Sequence, residues 1–142
     1  MRNLREANEM VVQTAKYGGR EVFVGAPSDV PSVNFVSPFA ALVTASSQEE
    51  VDEVLGIVSR LLGLGCKEFC CVGSKAESLH DQLDLLIEKA GLFDVVTTWH
   101  EDAIEGCEYF LFGAGGQSLA LYGLISRHPE LLDAMVLASQ SD

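Results

Sequence analysis

Thr97, Thr98, Trp99, His100, Glu101 and Asp102 follow an apolar run in immediate succession. An imidazole beside two carboxylates is a set that could move a proton. In an open parallel sheet, ligands bind outside the carboxyl ends of the strands. The spacing puts Thr44, Ser46 and Ser47, then Ser74 and Lys75, then Thr98, His100, Glu101 and Asp102 at three such ends. If they converged, His100 would be a general base oriented by Asp102 or Glu101, with Ser74 and Lys75 holding substrate. A plainer reading competes with this one. Ser47, Ser74 and Thr98 each stand three residues before a glutamate (Glu50, Glu77, Glu101), the capping-box pattern that opens a helix. Acids in a first turn are already favoured by the helix dipole.

Other chemistry-bearing groups are weaker. Ser78, His80 and Asp81 resemble a hydrolase triad in composition, but within one helix their side chains point apart. His80, Asp81 and His100 show no paired metal-ligand spacing, so no metal is expected. Cys66, Cys70, Cys71 and Cys107 are unevenly spaced, unlike a secreted disulfide framework or a zinc site. Cys70 and Cys71 occupy consecutive strand positions and so face opposite layers as small apolar groups. Gly113, Gly115, Gly116 and Ser118, before an apolar segment, imitate the glycine turn that cradles a phosphate at a helix N-terminus. No later strand ends in an acid for a ribose, so the dinucleotide pattern is incomplete and no cofactor is expected.

The elements that would position these groups follow from periodicity. Leu4, Ala7, Val11 and Ala15 suggest an N-terminal helix or arm over residues 1–19. "EVFVGAP", "FAALVTAS", "KEFCCVG" and "LFDVVTT" read as strands, and the proline-rich residues 27–38 read as a loop. Helices are expected over about 48–62, with Val51, Val54, Leu55, Val58, Leu61 and Leu62 inward, and over about 75–90, with Leu79, Leu83, Leu86, Ile87 and Ala90 inward. Glycine stops follow both. A third stripe, Ala103, Ile104, Cys107, Phe110 and Leu111, fits another helix, although residues 109–112 could equally be a strand. Two helical segments, about 117–127 and 129–139, make a tail, with Pro129 suited to a first helical turn.

The expected fold is therefore α/β: one domain, a three-layer sandwich with a mostly parallel, roughly four-stranded sheet over residues 20–112 and a helical tail over 113–142. Leu119, Leu121, Leu124, Ile125, Leu131, Leu132, Val136 and Leu137 give that tail more apolar surface than one domain edge hides, which suggests a homodimer.

The 142-residue chain carries nine basic and 21 acidic residues, a net charge of −12. That balance excludes the usual nucleic-acid binder, which needs Lys and Arg against phosphates. Fourteen of the acids, against four bases, lie between residues 49 and 108. No apolar run approaches the roughly 20 residues of a membrane helix, and the charged N-terminus is unlike a signal peptide. A cytoplasmic protein is expected.

Over residues 78–102, "SLHDQLDLLIEKAGLFDVVTTWHED", the chain resembles small uncharacterised bacterial α/β proteins with an HD-x-x-D helix and a strand ending in TTWH followed by acids. His80, Asp81, Asp84, Thr97 through His100, Glu101 and Asp102 carry the resemblance. It implies an α/β fold and no particular activity. The leading functional expectation is a non-enzymatic protein whose acids Glu77, Asp81, Asp84, Glu88, Glu101, Asp102, Glu105 and Glu108 bind a basic protein partner, as an immunity protein or regulatory adaptor does. A small enzyme built on His100, and phosphate binding at residues 113–118, are the alternatives.

Overall fold

A computed structural model of the chain describes residues 15–17, 20–117, 119–125 and 127–140. Their elements run β1 (Ala15–Tyr17), β2 (Arg20–Val24), a 3-10 turn (Pro27–Ser32), β3 (Phe39–Thr44), α1 (Gln48–Leu64), β4 (Cys66–Val72), α2 (Ala76–Ala90), β5 (Val96–His100), α3 (Ala103–Gly113), β6 (Ala120–Leu124) and α4 (Pro129–Gln140). The expected N-terminal helix falls on residues outside this description, apart from Ala15, which begins β1.

The strands form one sheet in the order β1-β2-β6-β3-β4-β5. β1 runs antiparallel to β2, and the other neighbours are parallel. On one face α1 and α2 bury Val51, Val54, Val58, Leu61, Leu79, Leu83 and Ile87 against Phe39, Ala41, Val43, Phe69 and Cys71. On the other, Cys107, Phe110 and Leu111 of α3 and Leu131 and Met135 of α4 pack on Ala40, Leu42, Cys70, Val72 and Leu121. The three-layer α/β sandwich and the split of Cys70 from Cys71 are as expected.

The helical tail is half as expected: its second segment is α4 (Pro129–Gln140), but its first is not a helix. Residues 120–124 form β6, inserted between β2 and β3, so the α/β core runs past residue 112 and the sheet has six strands among the described residues instead of about four. A central strand is covered on both faces and shows no alternation, so "ALYGL" carries no strand period to set against a helical one. Leu121, Leu124, Ile125 and Leu131 are thereby buried in the chain's own core. The surplus apolar surface that suggested a homodimer is largely absorbed there. Residues 109–112 are helical. Leu86, Ala90 and Ile104, expected inward, are exposed.

Of the three capping boxes, one half forms. Ser47 Oγ accepts from Glu50 N at 3.2 Å, but the Glu50 carboxylate turns to Ser46, taking its N–H at 2.8 Å and its hydroxyl at 2.6 Å. Such a cap contributes about 1 kcal/mol. Each fully buried Val or Leu contributes roughly 1.5–3 kcal/mol, so packing on the sheet is what holds α1. Ser74 does not cap α2: the N-cap is Lys75, with no side-chain bond, and Ser74 Oγ donates to Ser46 O at 3.3 Å. Thr98 lies inside β5, since the strand continues to His100 and Asp102 caps α3, its Oδ1 accepting from Ile104 N at 3.0 Å and Glu105 N at 3.1 Å. Thr-Thr-Trp favours a strand, and Asp caps as well as Thr.

Candidate functional site at the edge strand and the carboxyl ends

β5 closes one side of the sheet. It pairs with β4 through Glu68↔Val96 to Val72↔His100, and its outer edge has no pairing strand among the described residues. Such an edge presents a row of unpaired N–H and C=O groups, which a second chain can extend. Alternation along β5 sends Thr98 and His100 toward α3, with Cys70 and Val72, and Thr97 and Trp99 toward α2, with Phe69 and Cys71. Trp99 is 39% exposed and Val96 51%, large apolar groups where solubility alone would favour charge.

The acids divide around this edge. Glu77, Asp81, Asp84 and Glu88 are exposed and recur at i+4, i+7 and i+11, so they form one stripe along α2. The stripe flanks β5, because Thr97 Oγ1 donates to Asp84 Oδ1. His80 leans into it, with Nδ1 3.0 Å from Asp81 Oδ1 and Nε2 3.5 Å from Asp84 Oδ2. Glu101 and Asp102 lie just beyond the end of β5. Of the two acids on α3, Glu105 stands four residues before Tyr109 and shares its side of the helix, but Glu108 does not. Tyr109 takes the side of α3 that faces β5, its ring 5.3 Å from that of His100, and Glu108, one residue earlier, is turned about 100° away.

The residues proposed to act together in catalysis are separated. His100 points into the layer beneath α3, where Gly106 lets the helix approach so closely that a Cβ there would stand 3.1 Å from His100 Cβ and 2.3 Å from Val72 Cγ1. Ser74 and Lys75 line a different surface, together with Glu77, Ser78, Asp81 and Gln82. Asp102 is spent in part on capping α3. The four cysteines are buried and unpaired by disulfides. Burial pushes the Cys71 and Cys107 thiols up to about 12, and that of Cys70 well above its ordinary value. None of these is a nucleophile at neutral pH.

The glycine segment has the wrong order for a phosphate cradle. Gly113 ends α3, and Gly115 lies in a 3-10 turn, Ala114–Gln117, that leads into β6. Helix-turn-strand replaces strand-turn-helix, so no helix N-terminus follows the glycines. Gly116 falls in that turn, and Ser118 lies outside the described residues.

Two sites escaped the sequence reading. Glu68 of β4 is buried in the α3 layer, where Tyr109 Oη donates to Oε2 at 2.7 Å and Gly115 N to Oε1 at 2.9 Å. The signal was an acid inside the apolar run "KEFCCV". At the carboxyl ends of the strands, His128 Nε2 lies 2.5 Å from Glu50 Oε2 and His128 Nδ1 lies 3.2 Å from Glu130 Oε1. Burial alone would raise the Glu50 pKa, but the two bonds from Ser46 and the His128 partner outweigh it and hold the carboxyl down at about 2. Burial alone would lower His128, and Glu50 and Glu130 reverse that, raising it. Beside this pair is a cavity of about 310 Å³ that His100 does not line. Gly73 forms part of its wall at φ +122°, and a Cβ there would stand 2.8 Å from Ala45 O, so only glycine suits the position.

A family model described as a domain of unknown function (DUF7684) matches residues 20–126. The chain belongs to that family. No curated protein matches it. No helix among the described residues is long and apolar enough to cross a membrane.

Proposed function

We propose that this DUF7684 chain is a non-enzymatic interaction protein that captures a basic, extended segment of a partner protein along β5, as a bacterial immunity protein or regulatory adaptor of the cytoplasm would. The observation that carries the reading is the coincidence, along one unpaired strand edge, of an acidic stripe and an exposed tryptophan. A partner strand added to β5 gains main-chain hydrogen bonds. Its alternate side chains on the α2 side meet Asp84, Glu88 and Trp99, where Arg or Lys finds carboxylates and an aromatic face together. Its other side chains meet Val96, which suits an apolar residue. Two copies of this chain pairing through β5 would bring acidic stripes toward each other, and like charges across an interface are costly.

The enzyme reading draws less support, because His100, Ser74 and Lys75 do not converge. The phosphate reading draws less as well, because the glycines precede a strand.

Trp99 is the only tryptophan, so its fluorescence reports on this edge alone. Titration with a synthetic peptide alternating Arg and Val should shift the emission saturably, with an apparent Kd that weakens severalfold between about 50 and 300 mM salt. Replacing Glu77, Asp81, Asp84 and Glu88 by Lys should abolish the response. An unchanged Kd in that variant, or an equal response to a Glu-Val peptide, sinks the reading.

A further inference from the structure

The cavity at the carboxyl ends of the strands stands where the path of the chain changes face. β3 leads into α1 on one face of the sheet, and its neighbour β6 leads into α4 on the other. Open parallel sheets take their ligands in the crevice at such a switch point. About 310 Å³ is at the small end of the range for ligand pockets. Val72, Ala103, Ile104 and Leu131 supply its apolar wall.

Its polar groups carry unused capacity. Thr44 lines the cavity, is only 6% exposed, and its side chain has no hydrogen-bond partner among the described residues. Thr98 Oγ1 alone is an enclosed side-chain polar atom without a partner among the described residues, so the Thr44 hydroxyl opens on the cavity, where a ligand can take the place of water as its partner. Asp102 also lines the cavity, and both amides that it caps bond to Oδ1, leaving Oδ2 without a partner among the described residues. Glu130 gives one oxygen, Oε1, to His128.

The charge balance of the wall selects the sign of the ligand. His128 is the one lining residue among those described that can carry positive charge, and both its ring nitrogens already face carboxylates, Glu50 and Glu130. Asp102 satisfies the first amides of α3, so that helix end has little left to offer an anion. An incoming carboxylate or phosphate would meet Asp102 and Glu130. A cation would be attracted by them and by the net charge of −12.

We infer that this crevice binds a small organic ammonium ion: a primary amine on a compact apolar body, with Asp102 Oδ2, Glu130 and the Thr44 hydroxyl as acceptors for its three hydrogens. The body lies against Val72, Ala103, Ile104 and Leu131. Methyl and methylene contact supplies the bulk of the affinity, and the carboxylates supply the preference for positive charge. The site is separate from the α2 stripe, so reversing that stripe leaves it in place.

The test is an NMR titration of the full chain at neutral pH with benzylamine, benzoate and toluene as probes. Benzylamine should produce saturable amide shifts at Gly73, Ala103, Ile104 and Leu131. In Asp102→Asn, which keeps an N-cap of equal quality, the apparent Kd should weaken about tenfold, the size expected for loss of one hydrogen bond to a charged group. Thr44→Val should weaken it as well, by a smaller factor, while its unfolding midpoint confirms that the fold is intact. Absence of saturable shifts up to about 10 mM amine, beyond the weak end of specific affinity, overturns the inference. So does an equal response to benzoate or to toluene, or a benzylamine Kd that Asp102→Asn leaves unchanged.

Discussion

Tyr109 and Glu68, 41 residues apart, meet in the layer between α3 and the sheet with their oxygens 2.7 Å from each other. The phenol donates, and the second carboxylate oxygen takes the N–H of Gly115 at 2.9 Å. One side chain of β4 thus fixes both the body of α3 and the turn that follows it. Burial, then the Glu68 bond and charge, push the Tyr109 hydroxyl above its ordinary pKa.

Removing that carboxylate takes an acceptor from Tyr109 Oη, Gly115 N and the Cys70 thiol. Glu68→Ala should destabilise the chain by about 3 kcal/mol, since each unsatisfied buried group costs about 1–3 kcal/mol. Glu68→Gln, which keeps an acceptor, should cost less than half as much. Urea unfolding measures both, and equal losses would mean that the bonds to Glu68 carry no stability.

The pair Glu50 and His128 confines part of the stability to a pH window. The folded pKa of Glu50, about 2, lies below its ordinary 4.5, so its contribution is complete above pH 4.5 and is lost as pH falls through 2. His128 is raised above its ordinary 6.5, so its contribution is complete below pH 6.5 and is lost as pH rises through the higher folded value. The stability difference between the native chain and Glu50→Gln should therefore be largest between those two ordinary values. Unfolding at about pH 3, 5.5 and 9 checks this, and a difference independent of pH would show that the pair does not titrate with folding.

Gly73→Ala should be among the costlier small substitutions. It places a side chain at φ +122° and a methyl 2.8 Å from Ala45 O, where strain of about 1–3 kcal/mol is expected. A thermal midpoint lowered by about 4 °C or more is the outcome. Gly56→Ala on α1, with nothing within 4 Å of the added Cβ, should raise stability slightly because alanine favours the helix.

The parts of the fold that were legible are those where one face alone decides. Val51, Val54, Val58 and Leu61 recur at helical spacing because only that side of α1 meets the sheet. Cys70 and Cys71 could be sent to opposite layers from their adjacency. β6 was hidden because both its faces are covered. Thr98 was mistaken for a cap because Thr-x-x-Glu is written identically in a strand end and a helix start. The acids of α2 were legible as a surface, since their period matches the helix. Glu108 was not separable from them until Tyr109 fixed which side of α3 faces β5. The pairs Glu50 with His128 and Glu68 with Tyr109 arise from sheet order, on which spacing along the chain is silent.

β6 is also the last of these strands to be made, yet it separates β2 from β3. A chain emerging from a ribosome can assemble β3, β4 and β5 with α1 and α2 early, but the β1-β2 pair has no further strand to join until residue 124 is clear of the exit tunnel. Domains tend to fold as they are synthesised, and contacts distant in sequence form slowly. Here the β1-β2 pair waits for β6, with the backbone groups of β2 and the apolar side chains of Val22 and Val24 open to other nascent chains in the meantime.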